Sequence, residues 1–222
     1  MTHKAWRKTG SACVFCNGDL KNPDRVRRLA SSCDLLLAAD GGANHFVRLN
    51  LKPQVIIGDM DSISSDPWSG NEDLVRIPHS PNKAKSDAEL AVEYVFQQGY
   101  RQVTLIAAGG GRFDHTLGNV ALAAQYPGRV AIVDSDWTLV AVDNSQKCRL
   151  QGPIGTTVSL IPYGQGVTRV RTTGLKYSLQ NEELANATHG LSNERIETQS
   201  YVSVSEGIVL VYIESEEVWP LQ

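Results

Sequence analysis

Long apolar runs are missing from this sequence: nothing approaches the ~20 consecutive residues that a membrane-spanning helix needs, which argues against a helical membrane protein. A basic excess is missing too. With 21 Lys and Arg against 24 Asp and Glu, the formal net charge is −3, so no electrostatic footprint for nucleic acid is present. Cysteine is scarce. Cys13, Cys16, Cys33 and Cys148 are too few and too scattered for a disulfide framework in 222 residues. Cys13 and Cys16 have C-x-x-C spacing but lie in a strand-like run, and no second Cys/His pair completes a zinc site. All four are therefore expected as small buried hydrophobes in a reducing compartment. The polar segment Met1 to Lys8 precedes no apolar stretch of the signal-peptide kind, so a cytoplasmic location is the default expectation. A G-x-S-x-G elbow, a Walker loop and a G-x-G-x-x-G fingerprint are also lacking. None of His3, His45, His79, His115 and His189 has a metal-type spacing partner, and no zinc is expected.

What is present is ordinary for a globular chain: 41% hydrophobic and 20% charged residues, at a length that suits two modest domains. Ser11 to Cys16 reads as a strand, and Pro23 is well placed as the first residue of a helix through Ala30. Asp34 to Ala39 is a near-continuous apolar strand, followed by Asp40-Gly41-Gly42 and a short helical segment to about Asn50. Gln54 to Ile57 and Leu74 to Ile77 are further strands. Ser86 and Glu89 have capping-box spacing and start a helix with Ala88, Ala91, Val92 and Val95 on one face. Val103 to Ala107 leads through Gly109-Gly110-Gly111 into a helix whose expected apolar face is Leu117, Val120, Ala121 and Ala124.

Val130 to Val133 and Trp137 to Val142 close this half. Strands alternating with helices predict a mostly parallel sheet with flanking helices over residues 1–144. After Asn144 the pattern changes. Thr157 to Ile161, Val167 to Arg171, Tyr201 to Val204 and Ile208 to Ile213 read as strands without intervening helices, so residues 145–222 are expected to form a smaller all-β sandwich or barrel.

In open α/β sheets ligands bind beyond the carboxyl ends of the strands, and the unusual polar residues sit there. Asp59 and Asp61 follow the run Val55-Ile56-Ile57-Gly58; in an extended segment both carboxylates point to one side, as a claw for a hard cation such as Mg²⁺ or as nothing more than a solvated Asx-turn. A strand ending in D-x-D also resembles the first motif of haloacid dehalogenase phosphatases, but here two β-α units precede it. Gly109-Gly110-Gly111-Arg112 offers backbone amides and a planar guanidinium to phosphate, or is a plain tight turn. Asp114 fits a helix N-cap as well as a site residue, Asp87 a favourable first-turn charge, and Lys83 with Lys85 a solvated face.

Taken in order, the motifs resemble those of thiamine pyrophosphokinases. The resemblance rests on Ala39-Asp40-Gly41-Gly42-Ala43-Asn44, Ile57-Gly58-Asp59-Met60-Asp61-Ser62, Lys85-Ser86-Asp87 with Glu89-Leu90-Ala91, Gly109-Gly110-Gly111-Arg112-Phe113-Asp114-His115, Gly174-Leu175-Lys176-Tyr177 and Gly190-Leu191-Ser192-Asn193-Glu194. It implies an α/β nucleotide-binding domain, an all-β domain for thiamine and dimerisation, and a homodimer with substrate sites between subunits. The implied activity is transfer of a diphosphoryl group from ATP to the hydroxyl of thiamine, giving thiamine diphosphate and AMP with Mg²⁺.

By the same resemblance Asp59, Asp61 and Asp87 hold the metal, and Arg112 and Asp114 join them in the catalytic set. Asp40, Gly41, Gly42, Lys85, Ser86, Gly109, Gly110, Gly111, His115 and Asn119 lie on the nucleotide side, with Ser192 and Asn193 on the thiamine side. The chain departs from the pattern at Asn82 and Ala84, where Asp is common, and at Ser178, where proline is frequent after the tyrosine. A pyrophosphokinase for another alcohol such as a hydroxymethyl pterin, a metal-dependent phosphatase and a non-catalytic nucleotide-binding regulator are the alternatives.

Overall fold

A computed structural model of the chain describes residues 10–64, 66–82, 84–184 and 188–215. Lys83, His3 and the N-terminal segment to Lys8 lie outside the described residues. Contacts divide the chain into two compact units, residues 1–119 and 120–222.

The first unit is built on five parallel strands in the order β5-β1-β2-β3-β4. These are β1 (Ser11–Phe15), β2 (Leu35–Ala39), β3 (Val55–Gly58), β4 (Val75–Pro78) and β5 (Gln102–Ile106). Unbroken apolar runs suit β1, β2 and β3 because a parallel sheet is covered on both faces; Val14, Leu37 and Ile56 are fully buried. Helix α1 (Pro23–Ser32) begins where the Asn22 side chain accepts from Arg25 N–H at 3.1 Å, with Pro23 at its first position. Asp40–Gly42, expected as a loop, forms a 3-10 turn running straight into α2 (Ala43–Leu49), which Asn50 ends in a left-handed conformation. Phe46 of α2 packs on Phe15 with ring centroids 4.3 Å apart. Helix α3 (Asp87–Gln97) has Ser86 as its N-cap, as the spacing predicts, and buries the expected face of Ala88, Ala91, Val92 and Val95.

Helix α4 (Phe113–Gln125) corrects the expected face. Leu117 is 54% exposed, while Asn119, Leu122, Ala123 and Ala124 are buried. Two stripes of this helix satisfy the same periodicity, and the inner one is fixed by Asn119, whose Nδ2 donates to Ala108 O at 2.8 Å. That polar anchor is invisible to an apolar-pattern reading.

The second unit is a β-sandwich. One layer holds β6 (Val130–Val133), β7 (Thr138–Val142), β14 (Ile208–Ile213), β9 (Thr157–Tyr163) and the two-residue β12 (Asn193–Glu194). The other has the order β11 (Gln180–Glu183), β10 (Arg169–Thr173), β13 (Ser200–Glu206), β8 (Lys147–Leu150). Inward-facing Val140, Leu150, Leu160, Val170, Val202 and Val211 form its core. Strands β8, β11 and β12 escape the sequence reading because they are short, and β11 (Gln-Asn-Glu-Glu) is exposed throughout.

The cysteines need a second correction. Cys13 and Cys33 are joined by a disulfide across a Cα separation of 6.0 Å, bringing the end of α1 to β1, whereas Cys16 and Cys148 are free and buried. Sequence spacing does not reveal which cysteines meet when their neighbourhood depends on a β-α crossover. Burial pushes the Cys16 thiol up to about 12 and that of Cys148 well above its ordinary value. Native protein without reductant is therefore expected to give no thiol signal with a thiol-reactive dye near neutral pH, and two thiols per chain on denaturation. Four thiols on denaturation would show that the Cys13–Cys33 bond is not formed.

Candidate active site

Strand order alone opens a crevice. The chain leaves β1 toward β2, β3 and β4 on one side, then returns to β5 on the other, so the loops after β1 and β5 diverge at a topological switch point. Backbone bonds hold these loops together at their bases: Cys16 N–H donates to Ile106 O at 2.8 Å, Gly18 N–H to Ala107 O at 2.9 Å and Asp19 N–H to Gly109 O at 3.0 Å. A cleft of about 980 Å³ lies beyond the strand ends. Its walls include Asp40 after β2, Asp59 after β3, Asp87 at the start of α3, and Gly110, Gly111 and Arg112 after β5.

Three carboxylates converge at this end of the sheet. One oxygen each from Asp40, Asp59 and Asp61 lies within 4.8 Å of the others. The expected mechanism for pairing Asp59 with Asp61 was strand alternation, and the structure corrects it. Strand β3 ends at Gly58, and Met60 holds a left-handed φ of 65°, so a tight turn rather than a pleat brings the two carboxylates together. Asp40 is also left-handed, at φ 46°, as is Ala107 at 52°. Such conformations cost of order 1 kcal/mol each and persist where the surroundings enforce them, commonly at functional sites. Asp40 Oδ1 is buried and has no hydrogen-bond partner among the described residues. Burying an unpaired carboxylate oxygen is costly, and a cation removes the cost.

Asp87, expected beside Asp59 and Asp61 as a metal ligand, approaches the end of β3 from α3 without joining this group of three. A methyl on Gly58 would lie 2.8 Å from Asp40 Cβ and 3.1 Å from Asp87 Oδ1, so the glycine is what lets both acids crowd the end of β3. The sequence assigned Asp40 to the nucleotide side alone. Its grouping with Asp59 and Asp61 depends on β2 and β3 being neighbours in the sheet.

The opposite wall is less acidic. Gly110 and Gly111 are left-handed, at φ 77° and 60°, and α4 begins immediately after Arg112. Arg112 O accepts from Thr116 N–H at 3.2 Å, so Asp114 is not the N-cap and belongs to the first turn. Its carboxylate instead receives Arg112 Nε at 3.1 Å and Nη2 at 2.5 Å. Bonding to the guanidinium pulls the Asp114 carboxyl down and pushes Arg112 up. His115 and Asn119 also line the cleft. Asp19 N–H meets the Gly109 carbonyl, and a methyl on Gly110 would lie 2.6 Å from Asp19 Oδ2, so the glycine run packs closely against the loop after β1.

Lys85 and Ser86 lie along the cleft, but both are engaged locally. The Lys85 ammonium pairs with Glu93 and stands 3.7 Å from Glu89, while the Ser86 hydroxyl caps α3. Gly41 and Gly42 do not face the cleft: a methyl on Gly41 would strike the Asn17 side chain at 2.4 Å, and one on Gly42 would strike Phe15 O at 2.0 Å. They are there so that the turn carrying Asp40 can lie against the end of β1. Ser192 and Asn193 belong to the second unit. Both ends of the Asn193 amide are used on one neighbour, with Tyr177 N–H donating to Oδ1 at 3.0 Å and Nδ2 donating to Tyr177 O at 2.7 Å. Ser192 is left-handed, at φ 57°, and its N–H donates to Ser159 Oγ at 3.1 Å.

His45 is a residue that sequence reasoning missed. It is 5% exposed, and its Nε2 bonds Gly18 O at 3.0 Å, fixing the loop after β1 from α2. A histidine without a spacing partner gives no signal for such a role. Burial lowers its pKa below the ordinary value of about 6.5. The unfolded chain thus takes up the proton first, so this group's contribution is complete above about pH 6.5 and is lost as pH falls from there toward the folded pKa. The thermal midpoint is expected to drop on acidification from about pH 7.5 to about pH 5.5, and the drop should shrink in His45→Gln. Parallel curves for the two proteins would exclude His45 as a source of the slope.

Comparison with known proteins follows the same two-part layout. The family model for the thiamin pyrophosphokinase catalytic domain matches residues 26–133, and that for the thiamin pyrophosphokinase vitamin B1 binding domain matches residues 142–209. Thiamine pyrophosphokinase 1 of Arabidopsis thaliana is 30% identical over 203 residues, covering 79% of this chain and 75% of that protein. Thiamine pyrophosphokinase 2 of the same plant is 29% identical over 247 residues, covering 96% and 86%. The crystal structure of thiamin pyrophosphokinase from Geobacillus thermodenitrificans superposes with a TM-score of 0.78 at 28% identity, covering 92% of this chain and 97% of that one. With both domain models matched in sequence order and relatives aligned over most of their own length, the chain belongs to the thiamine pyrophosphokinase family.

Proposed function

We propose that this chain transfers a diphosphoryl group from ATP to the hydroxyl of thiamine, yielding thiamine diphosphate and AMP with Mg²⁺. The observation that carries the reading is the convergence of Asp40, Asp59 and Asp61 within 4.8 Å at the end of a parallel sheet, in a chain of this family. Hard oxygen donors suit Mg²⁺, and the buried Asp40 Oδ1 without a hydrogen-bond partner among the described residues fits a cation ligand. Asp40, Asp59 and Asp61 would hold the ion, with Asp87 beside them. When bound, Mg²⁺ offsets charge on the phosphate oxygens.

The chain's own residues supply positioning and electrostatics. The thiamine oxygen bonds to the β-phosphorus as the bond from that phosphorus to the AMP oxygen breaks, and the hydroxyl proton passes to one of the carboxylates of Asp59, Asp61 and Asp87. Arg112, bonded to Asp114, lines the other wall near the start of α4 and would offset charge on the transferred group there. Residues 1–144 carry the nucleotide and metal, and residues 145–222 carry thiamine recognition through Ser192 and Asn193. Incubation with ATP, Mg²⁺ and thiamine should yield AMP and thiamine diphosphate in equal amounts. Release of ADP or inorganic phosphate, or no turnover, would reject the assignment.

A homodimer belongs to this proposal, with substrate sites between subunits. Its support is the apolar stripe that α4 leaves uncovered, where Phe113 is 73% and Leu117 54% exposed, one helical turn apart. Leu117→Glu is expected to convert a dimer to a monomer in sedimentation velocity, without lowering the thermal midpoint of the monomeric fold. An unchanged sedimentation coefficient would remove α4 from the interface.

A further inference from the structure

We propose that Asn44 is a positioning residue, whose carboxamide holds the Asp59–Asp61 turn at a fixed distance from Asp40. The inference rests on the reading above that these carboxylates hold a divalent cation. Asn44 lies in the first turn of α2, four residues after Asp40. Its Nδ2 donates to Ser62 O at 2.9 Å, and its Oδ1 accepts from Ser64 N–H at 2.9 Å. Among the described residues, these are the hydrogen bonds that tie residues 60–64 to another element. The turn's own bonds are internal: Ser62 Oγ donates to Asp61 Oδ1 at 2.9 Å, and Asp61 N–H approaches Asp59 Oδ1 at 3.5 Å.

The clip needs a donor and an acceptor on one short planar group. Aspartate at this position would lack the donor and set a charge against the Ser62 carbonyl, while alanine would offer neither atom. The other end of the clip is firm. Helix α2 is seated through Phe46 on Phe15 and through Gly42 against Phe15 O, so a turn bonded to Asn44 is referenced to the same strand that seats Asp40. Loss of a bond made directly to a metal ligand typically lowers metal affinity by about 10–100-fold, and this clip, which acts through the Ser62 and Ser64 backbone just past Asp61, should fall at the lower end of that range.

The test is Mn²⁺ binding to the whole chain without nucleotide, read by the loss of free-ion signal in electron paramagnetic resonance, on wild type, Asn44→Ala, Asn44→Gln and Asp59→Asn. Asn44→Ala is expected to weaken Mn²⁺ binding about tenfold, and to raise the Mg²⁺ concentration for half-maximal turnover by the same factor. Its thermal midpoint should change little, because alanine favours the helix more than asparagine does. Asn44→Gln, which keeps both amide functions on a longer stem, should recover part of the affinity. If Asp59→Asn loses Mn²⁺ while Asn44→Ala binds it as wild type does, the positioning role is wrong and the cation site stands. If both variants bind as wild type does, the cation site itself is wrong and this inference falls with it.

Discussion

Asp59→Asn is expected to lower turnover by about 10²–10⁴-fold while leaving the fold as stable as before, or more stable. Asparagine matches aspartate in shape, and its Oδ1 can still face Asp61 N–H, so the turn keeps its geometry. What changes is charge. The clustered oxygens of Asp40, Asp59 and Asp61 repel one another across at most 4.8 Å, by about 1 kcal/mol per pair even at the dielectric constant of water. Removing one charge relieves that repulsion in the metal-free protein and weakens the hold on a cation in the working one. Opposite signs for stability and activity are the signature of a site under electrostatic strain, because an ordinary structural carboxylate would lose both together. The measurement is turnover at saturating Mg²⁺ alongside thermal unfolding without metal. Turnover within a few-fold of wild type would dismiss the cluster from catalysis.

Gly42→Ala acts through the scaffold and should harm both stability and activity. The added methyl would sit 2.0 Å from Phe15 O and 3.2 Å from Cys16 O, both backbone atoms at the end of the central strand β1, which cannot swing aside as a side chain can. The 3-10 turn and α2 must move away instead. Overpacking of this kind costs typically about 1–3 kcal/mol, and the value here should lie at or above the upper end because backbone meets backbone. Asp40 is two residues earlier in the same turn, so its carboxylate shifts relative to Asp59 and Asp61. Urea unfolding should therefore show a lower midpoint at an unchanged slope, and turnover should fall even at temperatures where the variant is fully folded. A wild-type midpoint would mean that α2 is not pressed against β1 as described.

Much of the framework is legible in the amino-acid sequence. The parallel unit was readable because β1, β2 and β3 are short apolar runs with no polar face, a pattern that suits a sheet covered on both sides. The start of α3 was readable because Ser86 and Glu89 carry the cap in their spacing. The run of strands without helices after Asn144 was readable from the loss of helical periodicity, but the sandwich already includes β6 and β7, which read as the close of the first half, and the exposed edge strand β11 has no apolar signature. The orientation of α4 was not readable, since a single hydrogen bond from Asn119 chose between two stripes of equal periodicity.

The sequence by itself placed Asp40, Asp59, Asp61 and Asp87 where a strand or loop ends, while local order left a plain turn or helix start open for Asp59, Asp61 and Asp87, and their grouping as site residues came from the family resemblance. Only the tertiary structure decided how they meet. Asp40 joins Asp59 and Asp61 because β2 and β3 pair in register, Asp87 comes close because Gly58 has no side chain, and Cys13 meets Cys33 because α1 folds back along β1. Asn44 and His45, adjacent in sequence, hold two different loops after β3 and β1. The physical reason is common to all of these. Strand and helix signals are encoded in periodicity along the chain, whereas a site is made by side chains far apart in sequence, whose distances are set by packing and by hydrogen bonds that periodicity does not contain.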